Sequence, residues 1–216
     1  MVKILPSILN VPNDDVQAAI DSVIGFVDGI HYDVMDGHFV PPTTFTVDDF
    51  KKLKLPAFTD VHLMVDHPET WIGGFAQAGA NLITVHYEAQ QKDVRATLEE
   101  IKKLGCLAGL SIKPKTLVTD VPEDLWEYAD VALIMSVEPG WGGQSFIAEV
   151  LDKVRYLRGK FAHKDINIDG GITDETGKLA CNAGCNMLVS GSYIFKSHDY
   201  RKAVESLRHC EERSNL

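Results

Sequence analysis

The feature that most constrains this chain is an alternation repeated eight times: a short run rich in β-branched residues, then a longer segment of helical period. The runs occupy 3–8, 29–33, 57–64, 81–86, 107–112, 131–135, 165–169 and 186–190, and the helical segments 14–25, 47–53, 69–78, 94–104, 124–128, 147–158, 174–182 and 199–210. Strands that alternate with helices run parallel through right-handed connections, which leaves an open doubly wound sheet or a closed barrel. Eight repeats within 216 residues favour the barrel, a fold of roughly 200–250 residues in one domain. The predicted fold class is therefore α/β, a single-domain (β/α)8 TIM barrel over residues 1–209, with a frayed tail at 210–216. Gly79, Gly105 and Gly184 stand where helix exits need a left-handed residue.

Charge and hydropathy narrow the partners. A formal charge of −10 argues against nucleic acid, whose phosphates require clustered Lys and Arg. No apolar run reaches the roughly 18–20 residues of a membrane span, so no membrane is expected either. The opening residues enter a strand at once, which reads as a cytoplasmic chain without a leader. Cys106, Cys181, Cys185 and Cys210 are then expected as reduced thiols that serve packing.

Within this frame, one segment carries unusual chemistry: His31-Tyr32-Asp33-Val34-Met35-Asp36-Gly37-His38. Residues two apart on a strand share a face, so His31 and Asp33 project together. His62 closes a similar run, and Asp169 ends the seventh. All four fall at the C-terminal ends of strands, the rim where such barrels place reacting groups. Two imidazoles with two carboxylates suit one divalent metal ion per subunit, Zn, Fe(II), Mn or Co. His86 ends the fourth strand and faces the same mouth. Ser7, at the end of the first strand, offers a hydroxyl to substrate or to a turn.

Three glycine-bearing turns follow late strands: Gly140, Trp141, Gly142 and Gly143; then Gly170 and Gly171; then Gly191 and Ser192. Backbone N–H groups converging there can hold a phosphate without Lys or Arg. Trp141 is a candidate lid residue.

These segments resemble, in order and over essentially the whole barrel, the signatures of ribulose-phosphate 3-epimerases. The matching stretches are 6–9, 31–41, 60–65, 135–144, 169–171 and 191–192. The resemblance implies interconversion of D-ribulose 5-phosphate and D-xylulose 5-phosphate, a phosphorylated ketose as substrate and a homo-oligomer. It implies Asp33 as proton acceptor and Asp169 as donor in one direction, both also ligands beside His31 and His62, with His62 reaching substrate as well. It further implies Met35, Met64 and Met135 packed around an enediolate. Such chemistry needs one carboxylate on each face of the inverted carbon, and strands two and seven can supply them.

The chain departs from the family pattern at Asn10, at Ala89-Gln90 and across Pro42-Thr43-Thr44-Phe45-Thr46-Val47. These departures bear on substrate length more than on reaction type. The rivals are therefore a 3-epimerase of a ketohexose 6-phosphate such as allulose 6-phosphate, and a non-catalytic phosphosugar-binding barrel. A related lyase pattern requires a strand-end Lys, which follows neither Asp33 nor Asp60.

Overall fold

The computed structural model describes residues 2–90 and 93–211. Eight parallel strands form the sheet among them: β1 Lys3–Leu5, β2 Ile30–Met35, β3 Thr59–Met64, β4 Leu82–His86, β5 Leu107–Ile112, β6 Val131–Met135, β7 Asp165–Asp169 and β8 Met187–Val189. Hydrogen bonding runs β1-β8-β7-β6-β5-β4-β3-β2, and a parallel bridge between Ser7 and His31 closes the ring at the β1–β2 seam. There His31 N–H donates to Pro6 O at 2.9 Å and Ile8 N–H to His31 O at 3.3 Å. β1 stops short of the expected Ile8 because Pro6 has no N–H for the ladder.

Each strand is buried on both faces, as parallel sheets require. Outward residues such as Ile4, Tyr32, Val61, Ile83, Ile134 and Ile168 pack against the helices in one continuous core. Inward, Leu5, Leu82, Val131 and Met187 form a separate apolar cluster, completed by Val189. Above that cluster the inward positions of β2, β3 and β7 turn polar: His31, Asp33, Asp60, His62, Asn167 and Asp169. The strand pattern thus supplies an apolar floor and a titratable rim.

The helices around the barrel are α1 Val16–Val23, α2 Val47–Lys51, α3 Ile72–Gln77, α4 Val94–Lys103, α5 Glu123–Tyr128, α6 Leu151–Lys160, α7 Asp174–Ala183, α8 Ser192–Phe195 and α9 Tyr200–Arg208. Gly79, Gly105 and Gly184 take φ of 105°, 84° and 119°, the left-handed exits expected of them. α8 has no counterpart in the periodicity, since its four residues are too few to show a period.

Two expectations change near the C-terminus. Cys181 and Cys210 are joined as a disulfide, with Cα atoms 6.1 Å apart, whereas Cys106 and Cys185 are free and buried. The chain beyond α9 turns through His209–Glu211 and buries Cys210, so order continues past residue 209. Residues 212–216 of the expected tail lie outside the described residues.

Candidate active site

β2 ends with its side chains alternating in and out, so His31, Asp33 and Met35 face the barrel axis while Tyr32 packs outward, edge-on to Phe50 at 4.9 Å between ring centroids. The register pairs His31 with Asp60 and Asp33 with His62 on β3. Across the mouth, Asp169 ends β7. One ligand atom from each of His31, Asp33, His62 and Asp169 lies within 4.8 Å of all the others.

His31 Nε2 is 3.4 Å from Asp33 Oδ1 and 3.7 Å from Asp169 Oδ2. His62 Nδ1 is 3.5 Å and 3.7 Å from the same two oxygens. Donors bound to one ion at about 2.0–2.2 Å in a tetrahedron are separated by roughly 3.3–3.6 Å, so this set fits one divalent cation. Both nitrogens are buried and neither has a hydrogen-bond partner among the described residues. An imidazole nitrogen left so in the interior is costly unless a ligand uses it.

Behind the cluster lies a shell that spacing alone does not reveal. His31 Nδ1 contacts Asp60 Oδ2 at 2.7 Å, and Asn167 Nδ2 donates to the same oxygen at 3.4 Å. A carboxylate there fixes the ring with Nε2 facing the site. His62 Nε2 meets His86 Nε2 at 2.9 Å, and His86 Nδ1 meets Glu88 Oε2 at 3.1 Å. His86 is fully buried; it does not line the mouth but backs His62. Asp60 two positions before His62, on the same strand face, is the signal that would have found the first partner.

The two carboxyls are driven apart electrostatically. Burial opposes the charge on Asp33, but His31 and His62 beside it hold its carboxyl well below the usual carboxylate range. Burial, and then the Asp33 charge, push Asp169 up to about 7 against the pull of His31. His31 is lifted well above an ordinary imidazole: burial works against it, and Asp60 and Asp33 overcome that. His62 is lowered by burial despite the Asp33 carboxylate beside it.

A cavity opens over this cluster. Its wall includes Asp33, Asp169, Met35, Met64 and Met135, with Gly140 to Gly143, Gly170, Gly171, Gly191 and Ser192 around the opening. Every expected pocket and loop residue is thus brought to one mouth. One detail differs from expectation, and two add to it. His62 is fully buried and absent from the wall, facing the cavity through the carboxylates, so the geometry offers it as a ligand rather than a substrate contact. Ser7 lines the wall, but its hydroxyl donates to Asp33 Oδ2 at 2.6 Å. Trp141 is 61% exposed, on a loop that Gln144 pins by donating to Glu138 O at 2.6 Å and Trp141 O at 2.8 Å.

Gly171 is required by space as well as by φ, and Gly142 packs closely on Asn10. A Cβ on Gly171 (φ 63°) would sit 2.8 Å from Phe146 N, and one on Gly142 would sit 2.1 Å from Asn10 Nδ2. Asn10, one of the departures noted above, therefore lies close against the loop that carries Trp141. Thr44, in the altered stretch after β2, donates to Asp33 O at 2.6 Å and accepts from Met35 N–H at 2.9 Å. That stretch buttresses the backbone of Asp33.

Comparison with known proteins agrees with this geometry. The model described as the ribulose-phosphate 3 epimerase family matches residues 3–195. A ribulose-phosphate 3-epimerase of Bacillus subtilis is 39% identical over 218 residues, covering 96% of this chain and 99% of the relative. That of Candida glabrata is 41% identical over 197 residues, covering 83% and 79%, and a rice relative described as the cytoplasmic isoform is 36% identical over 217 residues, covering 98% and 95%. Among solved structures, KGPDC from Streptococcus mutans superposes with a TM-score of 0.73 at 15% identity over 98% of each chain. A 3-keto-L-gulonate-6-phosphate decarboxylase from Vibrio cholerae gives 0.70 at 18% identity, over 99% and 97%; both share the fold alone. With sequence relatives matching almost end to end, this chain belongs to the ribulose-phosphate 3-epimerase family.

Proposed function

We propose that this chain interconverts D-ribulose 5-phosphate and D-xylulose 5-phosphate, one of Asp33 and Asp169 taking the C3 proton and the other delivering its own proton to the opposite face. The observation that carries the reading is the pair itself: two carboxyls on one cavity wall, one held ionised and the other pushed up to about 7. Such divergence assigns a base and an acid. Asp33 accepts the proton from one face of the sugar, and Asp169 returns one to the opposite face. In the reverse direction the roles exchange. Relatives named for ribulose phosphate favour this substrate over a ketohexose 6-phosphate.

His31, Asp33, His62 and Asp169 would hold one divalent cation, of which Zn, Fe(II), Mn and Co all suit the donors. When bound, it supplies Lewis acidity to the oxygens of the enediolate. The chain's own residues do the rest. Ser7 steadies Asp33 through its hydroxyl. Met35, Met64 and Met135 exclude water without competing for protons. The glycine turns at 140–143, 170–171 and 191–192 offer backbone N–H groups to the phosphate. The resemblance also supports a homo-oligomer, which light scattering measures, and the label of the rice relative supports a cytoplasmic location.

Replacing either acid by its amide tests the reading. Asp33→Asn and Asp169→Asn should each lower turnover by about 10²–10⁴-fold, the range for a lost general acid or base. In D2O, one variant of the two should still exchange the C3 proton of ribulose 5-phosphate without inverting the carbon, since its remaining acid works one face. Full turnover in either variant rejects the mechanism.

A further inference from the structure

His62 and His86 meet through like nitrogens, Nε2 against Nε2. A neutral imidazole has one donor and one acceptor nitrogen, so one ring gives the proton and the other takes it. That choice dictates the state of the far nitrogen on each ring. Beyond His86 stands Glu88, whose Oε2 faces His86 Nδ1. Its other oxygen, Oε1, accepts the Lys113 N–H at 2.7 Å and the Thr116 hydroxyl. Burial opposes the charge on Glu88, but His86, then Thr116 and Lys113, hold its carboxyl down to about 2; with Oε1 already taken by two donors, Oε2 faces His86 as an acceptor. His86 Nδ1 must therefore donate to it. His86 Nε2 then accepts, His62 Nε2 donates, and His62 Nδ1 keeps its lone pair, at the atom that faces Asp33 and Asp169.

We infer that Glu88 is a positioning residue for the metal centre, setting through His86 the tautomer in which His62 presents Nδ1 to a cation. The inference rests on the metal-centre reading of the site proposed above. His31 receives the same service directly from Asp60; His62 receives it one ring further away. The relay is stiff. Lys153 Nζ holds Lys113 O at 2.9 Å and Pro114 O at 2.7 Å, which fixes the backbone that grips Glu88. Phe39 lies against His86 with ring centroids 4.8 Å apart.

Glu88→Gln makes the direction of the relay measurable. The Lys113 N–H cannot turn round, so it claims the carbonyl oxygen of the new amide and leaves the NH2 facing His86 Nδ1. The chain of donors then reverses and puts a proton on His62 Nδ1. Two-bond 15N–1H correlation of the histidine-labelled, metal-stripped full chain reads the tautomers, and chelator competition on the zinc-loaded protein reads affinity. The wild type should show His62 as the Nε2–H form. Glu88→Gln should show the Nδ1–H form and bind zinc about 10–100-fold more weakly, the usual cost of a lost outer partner. Glu88→Asp, which keeps a carboxylate, should retain the wild-type tautomer and lose less affinity. An Nδ1–H form in the wild type overturns the inference, even if the Gln variant does not fold. So does an unchanged tautomer with unchanged zinc affinity in Glu88→Gln, or equal losses in the Gln and Asp variants, which would mean packing alone. A wild type that holds no zinc rejects the metal-centre reading instead, and the tautomers still decide the relay.

Discussion

At the scale of single residues, the site separates what strand periodicity can announce from what it cannot. His31, Asp33, His62 and Asp169 were legible because strand alternation turns each of them inward, although only Asp169 ends its strand: β2 and β3 run on to Met35 and Met64. Asp60, Asn167, His86 and Glu88 were not, because their roles depend on which inward side chains touch across the barrel. That requires the inter-strand register, which pairs His31 with Asp60 and which no single segment encodes. Ser7 shows the same limit: the sequence left its hydroxyl between substrate and turn, and the fold has it accept the Leu9 N–H in a turn at 3.2 Å while donating to Asp33. A hydrogen bond to a charged group contributes about 1.5–3 kcal/mol. Ser7→Ala should therefore cost roughly 10–150-fold in turnover by the same interval, since Asp33 loses a donor that steadies its carboxylate. The sign with pH follows. Losing a donor raises the Asp33 pKa, so the acid limb of the pH–rate profile should move to higher pH. A limb that stays in place would detach Ser7 from the base.

Elements were read well where they were long and poorly where they were short. β5, β6 and β7 fall on the expected residues, β6 as an unbroken apolar run and β7 as a strict alternation of polar residues with isoleucine. α3 begins later than its pattern, at Ile72, because Pro68–Thr70 first forms a tighter turn. α8, a single turn after Gly191, left no trace. The pairing of Cys181 with Cys210 was also hidden, since connectivity does not follow from spacing. It arises because α9 lies against α7 and delivers the following turn to it. Closing 29 residues removes enough unfolded-state freedom to contribute about 2–4 kcal/mol. Cys210→Ser should lower the urea midpoint accordingly, and a reducing agent should bring the wild type down to the variant while leaving the variant unmoved. Equal midpoints without reductant would show that the link adds nothing.

For the whole molecule, the apolar floor of Leu5, Leu82, Val131 and Met187 holds the barrel together, while the polar rim leaves it incomplete. Four titratable groups converge there at a cost that a cation would offset. Adding zinc at about 1,000 times its dissociation constant should stabilise the native state by about 4 kcal/mol, seen as a rise in melting temperature that a chelator reverses. An unchanged melting temperature would mean that the rim is satisfied without an ion. The fold class was legible from chain length and eightfold alternation; the place where the ring shuts was not. That place is the contact of Ser7 with His31, so the residue that latches the first strand to the second also belongs to the candidate ligand set. Fastening the hoop and loading the ion become one event: a loosened joint between the opening two staves leaks metal, and a stripped chain breathes first along that joint.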